Sequence, residues 1–552
     1  MTVLSKLLAR NFELAPAQYR ARVERDLRVP MADGVVLLAD RYVPEGLDQA
    51  PLVLARGPYG RRHIWGMLFG RLLAERGFQA VVQSCRGTYG SGGIFDPFGD
   101  ERTDGLSTVE WMRAQTWYPG SFGTVGPSYL GFTQWAIAAE SGPDHRAMAV
   151  QVTTSALRDM IYAGGSLSWR TMFGWMHEEQ QARRRMPALL ARIGSAKRLQ
   201  RGLSTIPISA ADQAATGHRV GYFQQWLRHD SPGDPYWRDR VFTDTLADVR
   251  VPVSTLGGWH DFMLPWQLRD YARLRAAGQQ PQLTIGPWQH VEDASIKGWL
   301  AELLPFLGHH LRGDPAPRAL PVRLYVTGAE QWRDLPDWPP AQPTSHWYLQ
   351  PGRGLSTAEP APAEPDEHPY DPADPTPSVG GPADGVTVTR LDNAELERRT
   401  DVLVYTSDPL ATALEVIGVP VVELFVSSPV PHLDVFARLC DVDPAGVSTN
   451  VTDALLRLTV DNAPIGAEGV RRARFELWPV AHRFQAGHRL RLQVSGGAFP
   501  RYPRNPGTGA ALDDSTQRMV AVSRSVHHGP GHPSALLLPI IDQDCRPSTS
   551  DS

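Results

Sequence analysis

The chain has 552 residues, a formal charge of −4, 42% apolar and 21% charged side chains, which allows several globular cores and gives no field to draw in nucleic acid or an anionic membrane. All but three of its 55 basic residues are arginine, a bias that reads as base composition rather than a phosphate-binding strategy. Three scattered cysteines, Cys85, Cys440 and Cys545, form neither a disulfide framework nor a zinc cluster and point to a reducing compartment.

At the N-terminus Arg10 and Glu13 interrupt any apolar stretch of signal-peptide length, and no apolar run long enough to span a bilayer follows. The expectation is a cytoplasmic protein without a membrane partner, export of the intact chain being left open. Residues 26–43 alternate apolar and polar around Asp33-Gly34, a hairpin signal. Short apolar runs at 51–56, 78–84, 122–126, 146–152, 251–258 and 282–287 read as buried strands, with helix-like stretches at 64–76, 103–115 and 129–140 between the first of them. That alternation predicts an α/β fold with a largely parallel sheet covered on both faces.

From 156 to 244 the strand signal lapses into Trp-, Met-, Arg- and Gln-rich sequence, helical around 170–200 and 219–228, as expected of a helical insertion. Residues 335–395 are rich in Pro and Gly, and closely spaced β segments follow to the end. The predicted division is a sheet domain over 1–155 and 245–345, a helical cap over 156–244, and an all-β sandwich over 346–552.

The stretch Gly126-Pro127-Ser128-Tyr129-Leu130-Gly131 places a serine between a strand and a helix. Small flanking residues there permit a strained turn that exposes the hydroxyl, and the helix N-terminus with the next backbone N–H stabilises negative charge on a substrate oxygen. The spacing is G-x-S-x-x-G, one residue longer than the usual elbow, so an ordinary turn serine is an equal reading of this motif alone. Two more groups follow strand ends: Gly257-Gly258-Trp259-His260-Asp261 and Gly286-Pro287-Trp288-Gln289-His290. Asp261 could simply cap a helix beginning at Phe262. The order Ser, Asp, His is nevertheless that of α/β-hydrolases, and all three lie at the edge where such sheets carry their sites.

With Gly57-Pro58-Tyr59, Arg86-Gly87, Gly90-Ser91-Gly92-Gly93, Glu101, Asp104-Gly105, Trp111, Trp117 and Gly120 added, and with 409–418 and 438–446 toward the C-terminus, the chain resembles the cocaine-esterase and X-Pro dipeptidyl-peptidase-like α/β-hydrolases along nearly its whole length. The resemblance implies an α/β-hydrolase domain, an inserted helical cap and a C-terminal jelly-roll-like β domain. It also implies a catalytic triad of Ser128 as nucleophile, His290 as base and then acid, and Asp261 as orienting carboxylate. The Tyr59 hydroxyl and the Tyr129 backbone N–H would form the oxyanion hole, and neither metal nor organic cofactor is called for.

Members that bind a free α-amino group carry acidic residues after the catalytic aspartate, where this chain has Phe262-Met263-Leu264. A small-molecule ester with an apolar or aromatic acyl group is therefore expected, with Phe262, Trp169, Met172, Phe173 and Trp175 as candidate lining. Aromatic and Met side chains at helical spacing read equally as core. Glu178 and Glu179 could supply a carboxylate for an ammonium, although helical charges usually face solvent. An X-Pro dipeptidyl peptidase, an amino-acid ester hydrolase and an inert hydrolase fold with a binding role stay as alternatives. The sequence does not set the oligomeric state, a homodimer being compatible with it.

Overall fold

A hairpin opens the central sheet, and the short apolar runs that follow fill its middle. A computed structural model describes residues 2–47, 49–183, 194–382, 389–466, 468–514 and 518–541. Cys545 and part of the helical stretch expected at 170–200 lie outside the described residues. The chain divides into two compact units. One holds Met1–Arg158, Gly233–Leu324 and Arg333–Asp337; the other holds Asp159–Pro232, Tyr325–Trp332 and Trp338–Ser552.

The main sheet comprises β1 (Ala21–Pro30), β2 (Val36–Pro44), β3 (Leu52–Gly57), β4 (Gln79–Ser84), β5 (Phe122–Pro127), β6 (His145–Gln151), β7 (Val253–Gly258) and β8 (Gln282–Gly286) of the first unit, with β9 (Val322–Val326) and β10 (Gln331–Leu335), which belong to that unit only through Val322–Leu324 and Arg333–Leu335. They form one sheet in the order β1-β2-β4-β3-β5-β6-β7-β8-β9-β10. The β1–β2 and β2–β4 pairings are antiparallel, and from β4 through β3 to β9 every pairing is parallel. Alternate residues of these strands enter different cores. Val53, Ala55, Ala80, Val82 and Val125 join one, with Leu300, Leu303, Phe306 and Leu307. Leu52, Leu54, Val81 and Phe122 join the other, with Val109 and Met112. Burial on both faces is why these strands read as continuous apolar runs rather than alternating ones.

The helices of the first unit include α1 (Val3–Asn11), α2 (Glu101–Arg113), α3 (Tyr129–Trp135), α4 (Leu264–Ala276) and α5 (Asp293–Arg312). The sequence reading gave no helix for α5. The helix expected at 64–76 runs from His63 to Ala74 and is wound as a π-helix over Gly66–Arg71.

Asp270 of α4 fastens the segment that leaves β6. Its fully buried carboxylate accepts from Thr154 Oγ1 at 2.8 Å, Ser155 N at 2.7 Å and Ser155 Oγ at 2.7 Å. Burial pushes the carboxyl up to about 6 from an ordinary 3.8, against the lowering pull of those hydrogen bonds. Between these two values the folded chain keeps a proton that the unfolded chain has lost, so stability falls as pH rises through the window. An Asp270→Asn variant carries no such proton. Urea melts should show its stability gaining on the parent by roughly 2 kcal/mol between pH 4 and pH 7; a difference that stays flat with pH would contradict this.

In the second unit the helices Trp169–Ala182, Ser195–Ser204 and Gly221–Arg228 pack together, and a twelve-stranded sheet follows. The β segments read at 420–428, 432–442, 453–460, 473–480 and 488–496 recur as Val421–Ser427, Leu433–Val442, Ser448–Leu458, Val470–Glu476 and Arg489–Ser495, while Val480–Phe484, which the reading did not single out, pairs with Leu414–Gly418 in a separate two-stranded sheet. Their inward residues, among them Leu424, Val435, Leu439, Phe484 and Leu492, make one core. The excursion from the first unit covers Asp159–Pro232, inside the expected 156–244, and belongs to the same compact unit as the β-rich region. Backbone bonds from Trp169 N to Arg501 O at 2.8 Å and Arg170 N to Pro500 O at 3.0 Å join the two.

Candidate active site

β5 ends at Pro127, and the chain turns into α3 through Ser128 at φ 54°, ψ −122°. Such a conformation costs a non-glycine residue on the order of 1–3 kcal/mol and persists only where its surroundings over-determine it. Here Ser128 N donates to Gln151 O at 2.9 Å, while Ser128 O accepts from Gly131 N and Phe132 N, both at 2.9 Å. The longer spacing of the motif also has a steric account. Leu130 stands where the usual elbow has glycine, and it packs over Gly57 of β3, where a Cβ would lie 2.5 Å from Leu130 Cδ1. Gly131 in turn lies against Thr153, with room for no Cβ (2.4 Å to Thr153 Cγ2). The serine side chain is left half-buried at the sheet edge.

The other two groups arrive on loops that continue the β7–β8 ladder. Trp259 N donates to Gly286 O at 2.9 Å and His260 N to Trp288 O at 3.0 Å. Gly258 is required by the closeness of that approach, since a Cβ there would sit 2.2 Å from Trp288 O. His290 Nδ1 is 2.7 Å from Asp261 Oδ2, and His290 Nε2 is 3.0 Å from Ser128 Oγ. Asp261 is fully buried, and its Oδ1 accepts from Met263 N at 2.6 Å. The helix begins at Leu264 rather than Phe262 and takes no side-chain cap, so Asp261 is not its N-cap; one of its oxygens holds the turn at Met263 and the other meets the imidazole. A buried carboxylate at Nδ1 fixes the proton there, which leaves Nε2 to accept from the serine hydroxyl. The Phe262 ring lies against the His290 imidazole, centroids 4.3 Å apart.

Tyr59 follows β3, half-buried, its ring stacked on Trp65 at 5.7 Å and edge-on to Tyr129 at 6.3 Å. Tyr129 is the first residue of α3, and its side chain belongs to a buried polar network that the sequence reading missed. Its hydroxyl donates to Glu101 Oε1 at 2.9 Å and accepts from Phe98 N at 2.8 Å. Glu101 pairs with Arg56 (Nη2 to Oε2, 3.0 Å), and Arg56 Nε donates to Gln83 Oε1 at 2.7 Å. Burial raises the Glu101 carboxyl against the opposing pull of Arg56, and burial with the nearby Glu101 charge raises the Tyr129 phenol. Glu101 was visible only as a motif residue without a role, because its partners lie 28 and 45 positions away.

The remaining lining candidates lie in the second unit. Trp169, Met172 and Phe173 are buried there. Trp169 stacks near Phe173 (4.5 Å) and Phe223 (6.1 Å) and donates its Nε1–H to Leu203 O. Trp175 stays half-buried beside Tyr222 and Trp226. The Glu179 carboxylate is taken by Tyr222, Gln180 and Arg183, and Glu178 is exposed. Among the described residues no group of three or more His, Cys, Asp or Glu side chains is arranged to hold a metal ion, and no helix is long and apolar enough to cross a membrane.

Residues 33–292 match the X-Pro dipeptidyl-peptidase (S15) family, and 317–537 match the X-Pro dipeptidyl-peptidase C-terminal non-catalytic domain. The cocaine esterase of Rhodococcus sp. is 30% identical over 570 residues, covering 94% of this chain and 98% of its own. Among solved structures, an α-amino acid ester hydrolase superposes with a TM-score of 0.79 at 24% identity, covering 96% of this chain and 98% of its own. An aminopeptidase from a marine sediment archaeon (Thaumarchaeota archaeon) also gives 0.79 at 24%, covering 95% and 97%. The chain belongs to the cocaine-esterase and X-Pro dipeptidyl-peptidase-like family of α/β-hydrolases, with a C-terminal non-catalytic β domain.

Proposed function

We propose that this chain, a carboxylic ester hydrolase by its family, cleaves esters through Ser128, His290 and Asp261 and favours an apolar or aromatic acyl group. The observation that carries the reading is the continuous chain from Asp261 Oδ2 to His290 at 2.7 Å and on to Ser128 Oγ at 3.0 Å, ending on a serine held in a strained turn. Ser128 Oγ attacks the acyl carbonyl as its proton passes to His290 Nε2, and Asp261 balances the imidazolium. The Tyr59 hydroxyl and the Tyr129 backbone N–H receive the oxyanion. His290 then protonates the leaving alkoxide, the acyl group stays on Ser128, and a water activated by the same imidazole releases the acid.

The acyl preference is supported by Phe262 against the imidazole and by buried Met263 and Leu264 where an ammonium-binding member would carry acids. Glu179, the other candidate for an ammonium, has its carboxylate committed to Tyr222 and Arg183. The peptidase reading rests on the family's name and on the fold shared with an aminopeptidase. A panel of p-nitrophenyl esters run beside Xaa-Pro-p-nitroanilides separates the two. Turnover of esters that rises with acyl size and aromaticity, with the anilides untouched, is expected; anilide cleavage without ester turnover would reverse the assignment.

A further inference from the structure

The loop that carries Tyr59 is held from below by two carboxylates on the antiparallel edge of the sheet, which the reaction itself does not use. Arg61 and Arg62 follow Tyr59 after a single glycine, and both reach the same pair, Asp40 of β2 and Asp26 of β1. Arg61 Nε donates to Asp40 Oδ1 at 3.0 Å, Arg61 Nη2 to Asp26 Oδ1, and Arg61 Nη1 to Tyr89 O at 2.7 Å and Ser84 Oγ at 3.2 Å. Arg62 Nε donates to Asp40 Oδ2 at 2.8 Å and Arg62 Nη2 to Asp26 Oδ2 at 2.8 Å. Each carboxylate thus bridges both guanidiniums. Asp40 is wholly buried and Asp26 about half exposed.

Asp26 reaches this pair because β1 slips register between Glu24 and Leu27, and Asp26 sits in that bulge at φ 56° with its N–H bonded to Asp40 Oδ1 at 2.9 Å. Bulges re-aim a side chain in this way. The Tyr42 hydroxyl adds a bond to Arg61 O at 3.1 Å. The outcome is that the two residues after Tyr59–Gly60 are fixed to the sheet by charge-assisted bonds, each guanidinium dividing its Nε–H and Nη2–H between the two carboxylates.

We infer that Asp26 and Asp40 are positioning residues for Tyr59: by clamping Arg61 and Arg62 they hold the Tyr59 hydroxyl where the oxyanion forms. The inference rests on Tyr59 being an oxyanion donor. Such a donor works by preorganisation, and displacing it by an ångström from a remote position is enough to slow the reaction. A clamp that merely stabilised the sheet would act on every step and every variant alike.

A double-mutant cycle on a p-nitrophenyl ester distinguishes these, with wild type, Tyr59→Phe, Asp26→Asn and the double variant compared by kcat, KM and thermal midpoint. Tyr59→Phe should lower kcat by about 100- to 1,000-fold. Asp26→Asn should lower it by roughly 10-fold with KM little changed, because Asp40 keeps its half of the clamp. The double variant should be no slower than Tyr59→Phe alone. Arg62→Gln, which removes the exposed half from the other side, should behave as Asp26→Asn does and serves if the aspartate variant folds poorly. A kcat unaffected by Tyr59→Phe would remove the oxyanion reading and the clamp's purpose with it. A normal Tyr59→Phe loss on which the Asp26→Asn loss multiplies in full would overturn the clamp alone, as would an Asp26→Asn enzyme with unchanged kcat.

Discussion

Replacing Ser128 with alanine is expected to lower kcat on a p-nitrophenyl ester by about 10⁶-fold, the scale on which removal of a serine nucleophile leaves only binding and oxyanion stabilisation. The substitution takes away one oxygen, at 3.0 Å from His290 Nε2, and leaves the turn as it was. Alanine is as strained as serine at φ 54°, and the bonds that hold the turn all run through the backbone: Ser128 N to Gln151 O, and Gly131 N and Phe132 N to Ser128 O. The thermal midpoint should therefore move by less than about 2 °C. A fluorophosphonate probe should label the parent and not the variant. Labelling that survives in the variant would put the nucleophile elsewhere, and absence of labelling in the parent would favour the inert-fold alternative.

The second large effect is expected for Asp261→Asn, a loss of about 10⁴-fold in kcat at neutral pH. The local geometry dictates which way the new amide points. Met263 N–H, 2.6 Å from Oδ1, needs an acceptor, so the amide oxygen takes that side and the NH₂ is driven to the side facing His290. The Nδ1 atom, now opposite a donor, becomes the acceptor, and the ring proton moves to Nε2. The imidazole then has no lone pair for the Ser128 hydroxyl. Since the turn bond from Met263 N survives, the chain should fold as before, and the tautomer change is open to nitrogen-15 NMR of the ring. A kcat within tenfold of the parent would remove Asp261 from the orienting role.

The middle of the sheet was legible because its strands are buried on both faces, which writes each as a bare apolar run: 51–56 became Leu52–Gly57 and 282–287 became Gln282–Gly286. The edge was not. Gln331–Leu335 is a mostly exposed, polar strand whose place comes from its neighbours rather than its own pattern. Ser128, Asp261 and His290 were readable from chain order, since each follows a strand whose end is fixed by topology. What supports them was not readable, because Asp40 with Arg61 and Glu101 with Tyr129 are 21 and 28 positions apart, and nothing in single-chain spacing pairs them. The helical stretch gave an ambiguous signal for a physical reason. Trp169 and Phe173 carry a periodicity that a packed core and a binding surface share, and both side chains are buried against each other.

The bonds from Trp259 N to Gly286 O and from His260 N to Trp288 O continue the pairing of β7 with β8 beyond the strands themselves. Asp261 and His290 consequently follow the last bonded positions of one ribbon, one residue after His260 and two after Trp288. To draw the two backbones apart at this point, the protein would have to open the β7–β8 pairing at the centre of its main sheet, a costlier event than moving an unpaired loop. The backbones that carry the two residues are therefore set in place by strand pairing before any substrate arrives.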